Sequence, residues 1–552
     1  MPGTETGGTP AADEAELDAV DHFLHRDPGR QQAATLSGRV RRRTLIAVTL
    51  IMAASGLDST VISVALPTIR NDLGGGVGAL QWISSVYLLA LAITLVPAGR
   101  LSDAIGPRTV FRAGVIIYLV SCLIAAVAPD SWVLILGRAG QGIGAGAVGP
   151  AAVVLIDRAY GPDRIGRAFA ALAMLLAISS ALGPVVGGTL TDTVGWRWIF
   201  VIHGVIALAA LALSPSVVAP EGSGDPTGLS SRSILALALI IIGIQVALIQ
   251  GGAHDWLWLV PPLIVAALAG LYLRHRERTS ARPMLDMQLL RRTPVLATVI
   301  CRVATMFAFY GNIFYLTLFL QSSAGYSAAQ TGLILLPSSV IGIAAAPITG
   351  RLVDRYGPNP VLVAGTLATG ASLFVLAFVH ETSSVAWHIG PGLTLNGIGY
   401  SLASVSTRTA PLKAVPEAQH GSVTALVSVL SKMAGGFGIT FATGLFNVLL
   451  NPAIGRAMSL FNVADRDPIR DFIVEHIGTH DLPRVIDPQA VAQAGFHSVE
   501  EALGVIDKSF ALTYSLLVGI LGALVMLSAL GIWILLRRSH DEPTASQTEP
   551  EE

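Results

Sequence analysis

Apolar runs of about 20 residues recur along the chain from Leu45 to Leu536, and they limit the possible folds more than any other feature. A run of this length crosses the ~30 Å hydrocarbon core of a bilayer as one α-helix. Hydrophobic residues make up 52% of the chain and charged residues only 13%, about half the charged share of a soluble globular protein. The sequence therefore predicts an all-α polytopic membrane protein and excludes a series of soluble domains.

Charged residues, glycines and prolines divide the apolar sequence into fourteen predicted spanning helices. We expect them near 44–69, 79–98, 110–128, 131–156, 165–190, 198–218, 233–250, 256–273, 294–320, 328–349, 360–379, 384–407, 420–450 and 510–536. Arginine and lysine resist translocation, and they cluster in alternate loops, whereas the opposite short loops contain only Arg70 and Arg197. This pattern predicts that both termini are cytoplasmic.

One short loop motif occurs twice. Gly99-Arg-Leu-Ser-Asp103-Ala-Ile-Gly106-Pro-Arg108 follows the second predicted span, and Gly350-Arg-Leu-Val-Asp354-Arg-Tyr-Gly357-Pro follows the tenth. An internal repeat at equivalent places indicates a duplicated architecture. If each copy follows the second helix of a six-helix unit, helices 1–6 and 9–14 form two bundles and helices 7–8 are an insert.

The repeat predicts the domain organisation of the whole chain. We expect a disordered cytoplasmic tail over 1–43, an N-terminal bundle over 44–218, a linker with two inserted helices over 219–293, a C-terminal bundle over 294–537 and a cytoplasmic tail over 538–552. Residues 452–508 form a long outer loop, in which Asp471-Phe-Ile-Val-Glu-His-Ile and Val499–Val505 have the pattern of short amphipathic helices. This loop is either a solvated cap or a docking or gating segment.

The repeated loop resembles the signature between helices 2 and 3 of major facilitator superfamily transporters, and the helix count is similar to that of their fourteen-helix drug:proton antiporters. The resemblance implies a major facilitator fold in which two bundles rock about a central cavity. It also implies a gating latch, for which a plain solvated turn is the alternative. The latch residues are Gly99, Asp103, Gly106, Arg108, Arg112, Gly350, Asp354 and Gly357. Ala104 replaces the usual basic residue, and the second copy lacks cations at Asn359 and Pro360, so we expect a weaker second latch.

Asp58 is the only acidic residue that lies well inside a predicted span. A carboxylate in hydrocarbon costs several kcal/mol unless it is paired or protonated, so Asp58 is either a proton carrier or a structural pairing partner. Its surroundings, Leu57-Asp58-Ser-Thr-Val-Ile-Ser-Val-Ala-Leu-Pro67, resemble the helix-1 signature of drug:proton antiporters, which implies a role in proton coupling.

Arg138 is the expected partner of Asp58. Asp58 lies ~21 Å and Arg138 ~20 Å from the cytoplasmic side of a ~30 Å core, so the two charges share one depth. The sequence Arg138-Ala-Gly-Gln141-Gly142 resembles the superfamily's Arg-x-x-Gln-Gly signature, and this resemblance implies that the two side chains are adjacent.

A second resemblance concerns the direction of transport. Gly183-Pro184-Val-Val-Gly187-Gly188 resembles the Gly-Pro-x-x-Gly-Gly element of antiporters in this superfamily. Such residues permit close helix packing and a kink. The motif therefore favours export over uptake.

Buried polar residues of the second half are candidates for a substrate cavity. Arg302 and Lys432 fall in the middle of their spans without an acidic partner there, so they either pair with backbone carbonyls and water or hold an anionic headgroup. The other candidates, each of which also has an interpretation as a packing residue, are Gln141, Tyr310, Asn312, His388, Asn396 and Tyr400.

The remaining features restrict the partners. Cys122 and Cys301 lie in apolar runs without metal-ligand spacing, so we expect no metal and no cofactor apart from the coupling proton. The net charge of −1 and the lack of a basic tract with aromatics argue against a nucleic-acid partner. Residues 452–508 contain no nucleophile–base pattern, which argues against a membrane-embedded enzyme or sensor.

Together these features predict a monomeric, proton-coupled exporter of amphipathic small molecules in a bacterial inner (plasma) membrane, in contact with membrane lipids. It is expected to work by alternating access. The alternative cargo is a lipid or another anionic amphiphile.

Overall fold

The computed structural model describes residues 36–74, 77–217, 230–252, 256–279, 286–378, 389–460 and 498–541. Within these ranges the regular structure is helical, and no strand occurs in this described part, which confirms the predicted all-α class. His388, most of the 219–231 linker and the Asp471 helix lie outside the described residues.

The helices follow one another with short connections. The first half contains α1 (Gly38–Leu73), α2 (Val77–Ile105), α3 (Pro107–Ala126), α4 (Ser131–Thr193) and α5 (Arg197–Leu213). The insert contains α6 (Ser231–Gly252) and α7 (Trp256–Thr279). The second half contains α8 (Thr293–Ser322), α9 (Ala328–Tyr356), α10 (Pro358–Ala377), α11 (Gly390–Lys413), α12 (His420–Leu460) and α13 (Val499–Asp541).

Eleven helical segments of the described residues are long and apolar enough to cross a membrane. α4 supplies two of them, Ser131–Tyr160 and Arg164–Thr193. α5, α7 and α11 lie at the positions of three further predicted spans, so each of the fourteen predicted spans has a helical counterpart.

α4 runs as one helix of 63 residues where the sequence predicts two spans. Its first span contacts Asp58 of α1 through Arg138, and its second span contacts Thr60 of α1 through the carbonyl of Ser180. In a straight helix residues 138 and 180 would be ~63 Å apart. The two spans of α4 must therefore run in opposite directions, and the chain reverses near 161–163, between Tyr160 and Arg164.

The last helix corrects a prediction. Val499–Val505 is not a separate amphipathic helix but the first part of α13, because the apolar face that begins at Ala502 and Val505 continues along the helix into the core. The 452–508 segment therefore includes the last residues of α12 and the first residues of α13. Residues 461–497 lie outside the described part.

The two copies of the loop motif have the same backbone. Gly106 has φ 93° and Gly357 has φ 81°, a region that residues with a side chain rarely occupy. Pro107 and Pro358 follow as the first residues of α3 and α10, where a missing N–H is harmless. Each copy ends one helix and starts the next in the same way.

The two halves of the chain contact each other at the end of the molecule where α1 ends and α2 begins, which we call the α1–α2 end. Gln321 of α8 donates from Nε2 to the carbonyl of Val64 at 2.9 Å. The N–H of Ala329 donates to Asp192 at 2.8 Å. These bonds join α8 to α1 and α9 to the end of α4.

The inserted helix α6 joins the two halves near mid-span. Gln245 is fully buried, and its Nε2 donates to Ser85 of α2 at 2.9 Å and to Thr440 of α12 at 2.6 Å. An apolar cluster contains residues of the same three helices, together with Leu289, Val295 and Val415. α7 packs on α6, and several of its apolar side chains, including Leu268 and Leu271, are exposed.

Candidate functional site

A buried ion pair lies at the centre of the first six spans. Arg138 Nη1 donates to Asp58 Oδ1 at 2.5 Å, and the two side chains are 1% and 0% exposed. A second ion pair, Arg197 with Asp72, lies near the α1–α2 end, with both side chains partly exposed. The Asp58 pair, in contrast, is shielded from solvent.

Three further groups hold the guanidinium of Arg138. Its Nε donates to the carbonyl of Ile83 at 3.2 Å, and Nη1 also donates to Gln141 Oε1 at 3.1 Å. The guanidinium carbon lies 4.7 Å from the ring centre of Tyr87, within cation–π range. The Tyr87 hydroxyl in turn lies 2.7 Å from Ser55 Oγ on α1. These contacts hold Arg138 in place in addition to its bond with Asp58.

One carboxylate oxygen of Asp58 is open, in the sense that it accepts no hydrogen bond. Oδ2 is buried and has no hydrogen-bond partner, although an ionised carboxylate accepts at both oxygens. A proton on Oδ2 would leave the Oδ1 contact with Arg138 in place. Asp58 therefore has a free position for a proton next to a fixed cation.

Two other buried polar atoms of the first six spans lack a partner. They are the Tyr118 hydroxyl and His203 Nε2, and the two rings lie 6.5 Å apart. Tyr118 is an electrostatic neighbour of Asp58. Neither residue was predicted from the sequence as part of the site. The signal for His203 was present, because an ionisable residue inside an apolar helix indicates function by default.

Cys122 also belongs to this region. Gln141 Nε2 lies 3.2 Å from its sulfur, so Cys122 contacts the polar network in addition to its packing role. The groups of acidic, histidine and cysteine residues in the described ranges do not form a metal site.

The Gly183–Gly188 motif lies between the two halves of the molecule. Gly183 packs on Thr60 and Gly187 on Val61, both on α1, whereas Gly188 faces the carbonyl of Ala328 on α9. A Cβ at any of these glycines would overlap its neighbour. The carbonyl of Pro184 approaches Gly332 of α9 in the same way. The motif thus allows backbone contact of α4 with both α1 and α9.

The cations of the first loop motif bind the end of α5. Arg108 donates to the carbonyl of Pro215 at 2.7 Å, and Arg112 donates to Ser214 Oγ at 3.0 Å. Asp103 has Arg100 as a charged neighbour. In the second copy Asp354 is exposed and the guanidinium of Arg355 lies over the Tyr356 ring. The gating role of Gly99, Gly350 and the other latch residues stays a prediction.

Two of the candidate cavity residues, Asn312 and Asn396, form hydrogen bonds within the second bundle. The Tyr514 hydroxyl donates to Asn312 at 3.0 Å. Asn396 accepts from Ser338 at 3.3 Å and donates to Ser372 at 3.2 Å. These bonds support the packing interpretation for both asparagines.

The arrangement of four other candidate residues differs from that of the two asparagines. These residues are Arg302, Tyr310, Tyr400 and Lys432. The Arg302 guanidinium lies 5.8 Å from the Tyr400 ring, and its Nη1 is buried without a partner. Lys432 and Arg302 are electrostatic neighbours. Tyr310 lies close to Ser59, which follows Asp58 in the chain. The structure thus places Tyr310 near the Asp58–Arg138 pair, and it places Arg302 beside Tyr400 and near Lys432.

Comparison with known proteins supplies the family. The family model of the Major Facilitator Superfamily matches residues 48–439, which is more than half of the chain. The chain belongs to the major facilitator superfamily. It is therefore a transporter and not an enzyme, as the sequence analysis predicts.

Curated relatives of this major facilitator protein align over most of its length. It is 29% identical to the tetracenomycin C resistance and export protein of Streptomyces glaucescens, over 75% of this chain and 76% of that protein. It is 28% identical to the multidrug resistance protein Stp of Mycobacterium tuberculosis, over 86% of this chain and 91% of that protein.

Solved transporters share the fold of this major facilitator protein. A bacterial homologue of the human lysosomal transporter Spinster, in an inward-facing unoccupied conformation, aligns with a TM-score of 0.60 at 19% identity, over 91% of this chain and 99% of that one. A peptide transporter in complex with sulfate aligns with a TM-score of 0.62 at 14% identity, over 92% and 98%. These matches confirm the predicted major facilitator fold.

Proposed function

We propose that this major facilitator protein is a proton-coupled antiporter that exports amphipathic organic compounds, including drugs, by alternating access. The relatives named for tetracenomycin C export and multidrug resistance support export of such compounds. The observation that carries the proton coupling is the buried Asp58–Arg138 pair with its open carboxylate oxygen.

Protonation of Asp58 changes the strength of this pair. An ionised Asp58 neutralises Arg138 in a low-dielectric site, whereas a protonated Asp58 leaves the positive charge of Arg138 uncompensated. Both residues lie in helices that also contact the opposite bundle, because α1 binds Gln321 and α4 packs on α9. The charge state of Asp58 is thus well placed to bias how the bundles are tilted.

The proposed cycle uses the cytoplasmic orientation of both termini. Protons from outside load Asp58, and the cavity then opens inward. Release of the proton is coupled to capture of substrate, and the reverse swing delivers the substrate outside. The hydrogen bonds at the α1–α2 end would then close the outer mouth.

Transport in proteoliposomes tests the proposal. Purified protein is given a pH gradient and a panel of amphipathic dyes, with Asp58→Asn compared with wild type. We expect Asp58→Asn to lose gradient-driven transport while it still exchanges dye across the membrane without a gradient, because the neutral side chain cannot carry a proton. Asp72→Asn, at the partly exposed end of the same helix, is the matched control and is expected to remain coupled. Gradient-driven transport that survives Asp58→Asn unchanged would remove Asp58 from the mechanism.

Transport of a lipid or another endogenous anionic amphiphile is the second candidate function. It is favoured by Arg302, whose buried Nη1 has no partner in the described part of the bundle. Extraction of labelled lipid from the proteoliposome membrane, measured beside dye transport, separates the two functions.

A further inference from the structure

Three cations of the C-terminal bundle converge without an acidic partner. Arg302 lies on α8, Arg408 on α11 and Lys432 on α12, and Arg302 is the charged neighbour of the other two. The side chains of Arg302 and Lys432 are half-buried, and that of Arg408 is exposed. Counted from the helix ends at Thr293, Lys413 and His420, they lie ~14, ~8 and ~18 Å into the bundle. They form a row of positive charge that begins at the end of the molecule where α2 ends and α3 begins, which we call the α2–α3 end, and runs towards the middle of the molecule.

This arrangement differs from the cation site of the N-terminal bundle. Arg138 is neutralised by Asp58 at 2.5 Å, whereas neither Arg302 nor Lys432 forms an ion pair with any residue of the described ranges. Arg302 Nη1 lacks even a neutral acceptor. Even a half-buried cation between membrane-spanning helices is unfavourable when no anion compensates it, and like charges nearby increase that cost.

Aromatic side chains adjoin the cations. The Tyr400 ring lies beside the Arg302 guanidinium, and Phe309 packs on both Tyr400 and Tyr310, with ring centres 5.7 and 5.3 Å apart. Tyr310 reaches Ser59, the residue after Asp58. The cluster thus offers a charged end and an apolar aromatic surface, and it extends to the proposed proton site.

We infer that Arg302 and Lys432 bind the anionic group of the transported compound, so that the cargo is an amphiphile with a carboxylate, phosphate or sulfonate beside an aromatic or apolar body. A guanidinium and an ammonium together suit such oxyanions. Bound anion would supply the charge compensation that the bundle lacks. The inference rests on the proposed function, because it assigns a substrate class to the same central cavity.

Equilibrium binding of two dyes with the same xanthene skeleton tests the inference. Fluorescein is anionic and rhodamine 123 is cationic, and their binding to the full-length protein is measured in nanodiscs of phosphatidylcholine. We expect wild type to bind fluorescein at least about tenfold more tightly than rhodamine 123. Arg302→Gln and Lys432→Gln should each weaken fluorescein binding about tenfold or more, because hydrogen bonds to charged groups are lost.

Two controls separate binding from general damage. Lys413→Gln removes an exposed lysine of α11 and should bind fluorescein as wild type does. Lys432→Gln should unfold at a temperature no lower than wild type in the absence of dye, since it removes an uncompensated charge. A clear fall in that temperature would instead indicate that Lys432 pairs with backbone carbonyls and water, and it would contradict the inference.

Changing the lipid composition of the nanodiscs distinguishes two sources of the bound anion, a lipid headgroup and a free amphiphile. If the bound group is a lipid headgroup, adding phosphatidylglycerol to the nanodiscs weakens fluorescein binding to wild type, whereas a free amphiphile leaves it unchanged. Equal binding of the two dyes by wild type, or full fluorescein binding by the double variant Arg302→Gln/Lys432→Gln, overturns the inference. Neither result depends on proton coupling. A failure of this inference can therefore be distinguished from a failure of the proposed function, which the Asp58→Asn experiment tests.

Discussion

At the scale of single residues, the Asp58–Arg138 pair is the feature most sensitive to change. Both side chains are buried, and the pair is supported by Gln141, Tyr87 and the carbonyl of Ile83. Removing one partner of such a pair is more harmful than removing both, because a lone buried charge has no compensation. Stability and transport should therefore respond differently to single and double substitutions.

Arg138→Gln should destabilise the protein by about 3–5 kcal/mol, and the double variant Asp58→Asn/Arg138→Gln should recover most of that loss. Both should lack gradient-driven transport, because neither has the charge pair. Thermal unfolding in one detergent, combined with dye transport, measures the two effects. If the double variant is as unstable as Arg138→Gln alone, the pair does not act as a charge-compensated unit.

At the scale of elements, the second span of α4 is the helix that joins the bundles. Gly183 and Gly187 pack it on α1, and Gly188 packs it on α9. The absence of side chains at these positions allows backbone contact between spans, which is a common basis of helix association in membranes. Gly166 lies on the same span, but a Cβ added there would have no neighbouring atom within 4 Å, so it is not part of this contact.

Gly188→Ala should open the contact between α4 and α9, because the added methyl group overlaps the carbonyl of Ala328. Overpacking of this kind costs about 1–3 kcal/mol in the arrangement that contains the contact. Spin labels at the exposed residues Val194 and Leu333 would report a smaller population at the short distance. Gly166→Ala is the matched control and should leave the distance distribution unchanged; a shift of equal size in both variants would argue against the role of Gly188.

At the scale of the whole molecule, the distribution of arginine and lysine predicts which end faces the cytoplasm. The α2–α3 end carries both loop motifs and their cations, and the α1–α2 end carries Arg70 and Arg197. Orientation can be measured with little background because the native cysteines, Cys122 and Cys301, are buried.

Single cysteines introduced at two exposed positions test the orientation. Ile105 and Val194 are 50% and 54% exposed at opposite ends of the molecule. Ile105→Cys should react with a membrane-impermeant maleimide in inside-out vesicles, and Val194→Cys should react in intact cells. The reverse pattern would place the termini outside and would reverse the direction of the proposed cycle.

The amino-acid sequence was enough to predict the helical class, the approximate spans, the duplication and the importance of the charged residues Asp58 and Arg138. These depend on local properties, namely the length of apolar runs, the spacing of a repeated loop and the cost of a charge in hydrocarbon. Asp58 was identifiable because an acid inside an apolar run is conspicuous without any knowledge of its neighbours.

Which helix faces meet became clear only in the folded molecule. There Gly188 packs on α9, Gln245 joins both bundles, and Tyr118 and His203 lie near each other with buried atoms that lack partners. In a membrane protein the lipid-facing and core-facing sides of a helix are both apolar, so hydrophobic periodicity does not indicate its rotation. Contacts between distant spans therefore depend on packing that no local pattern in the sequence specifies.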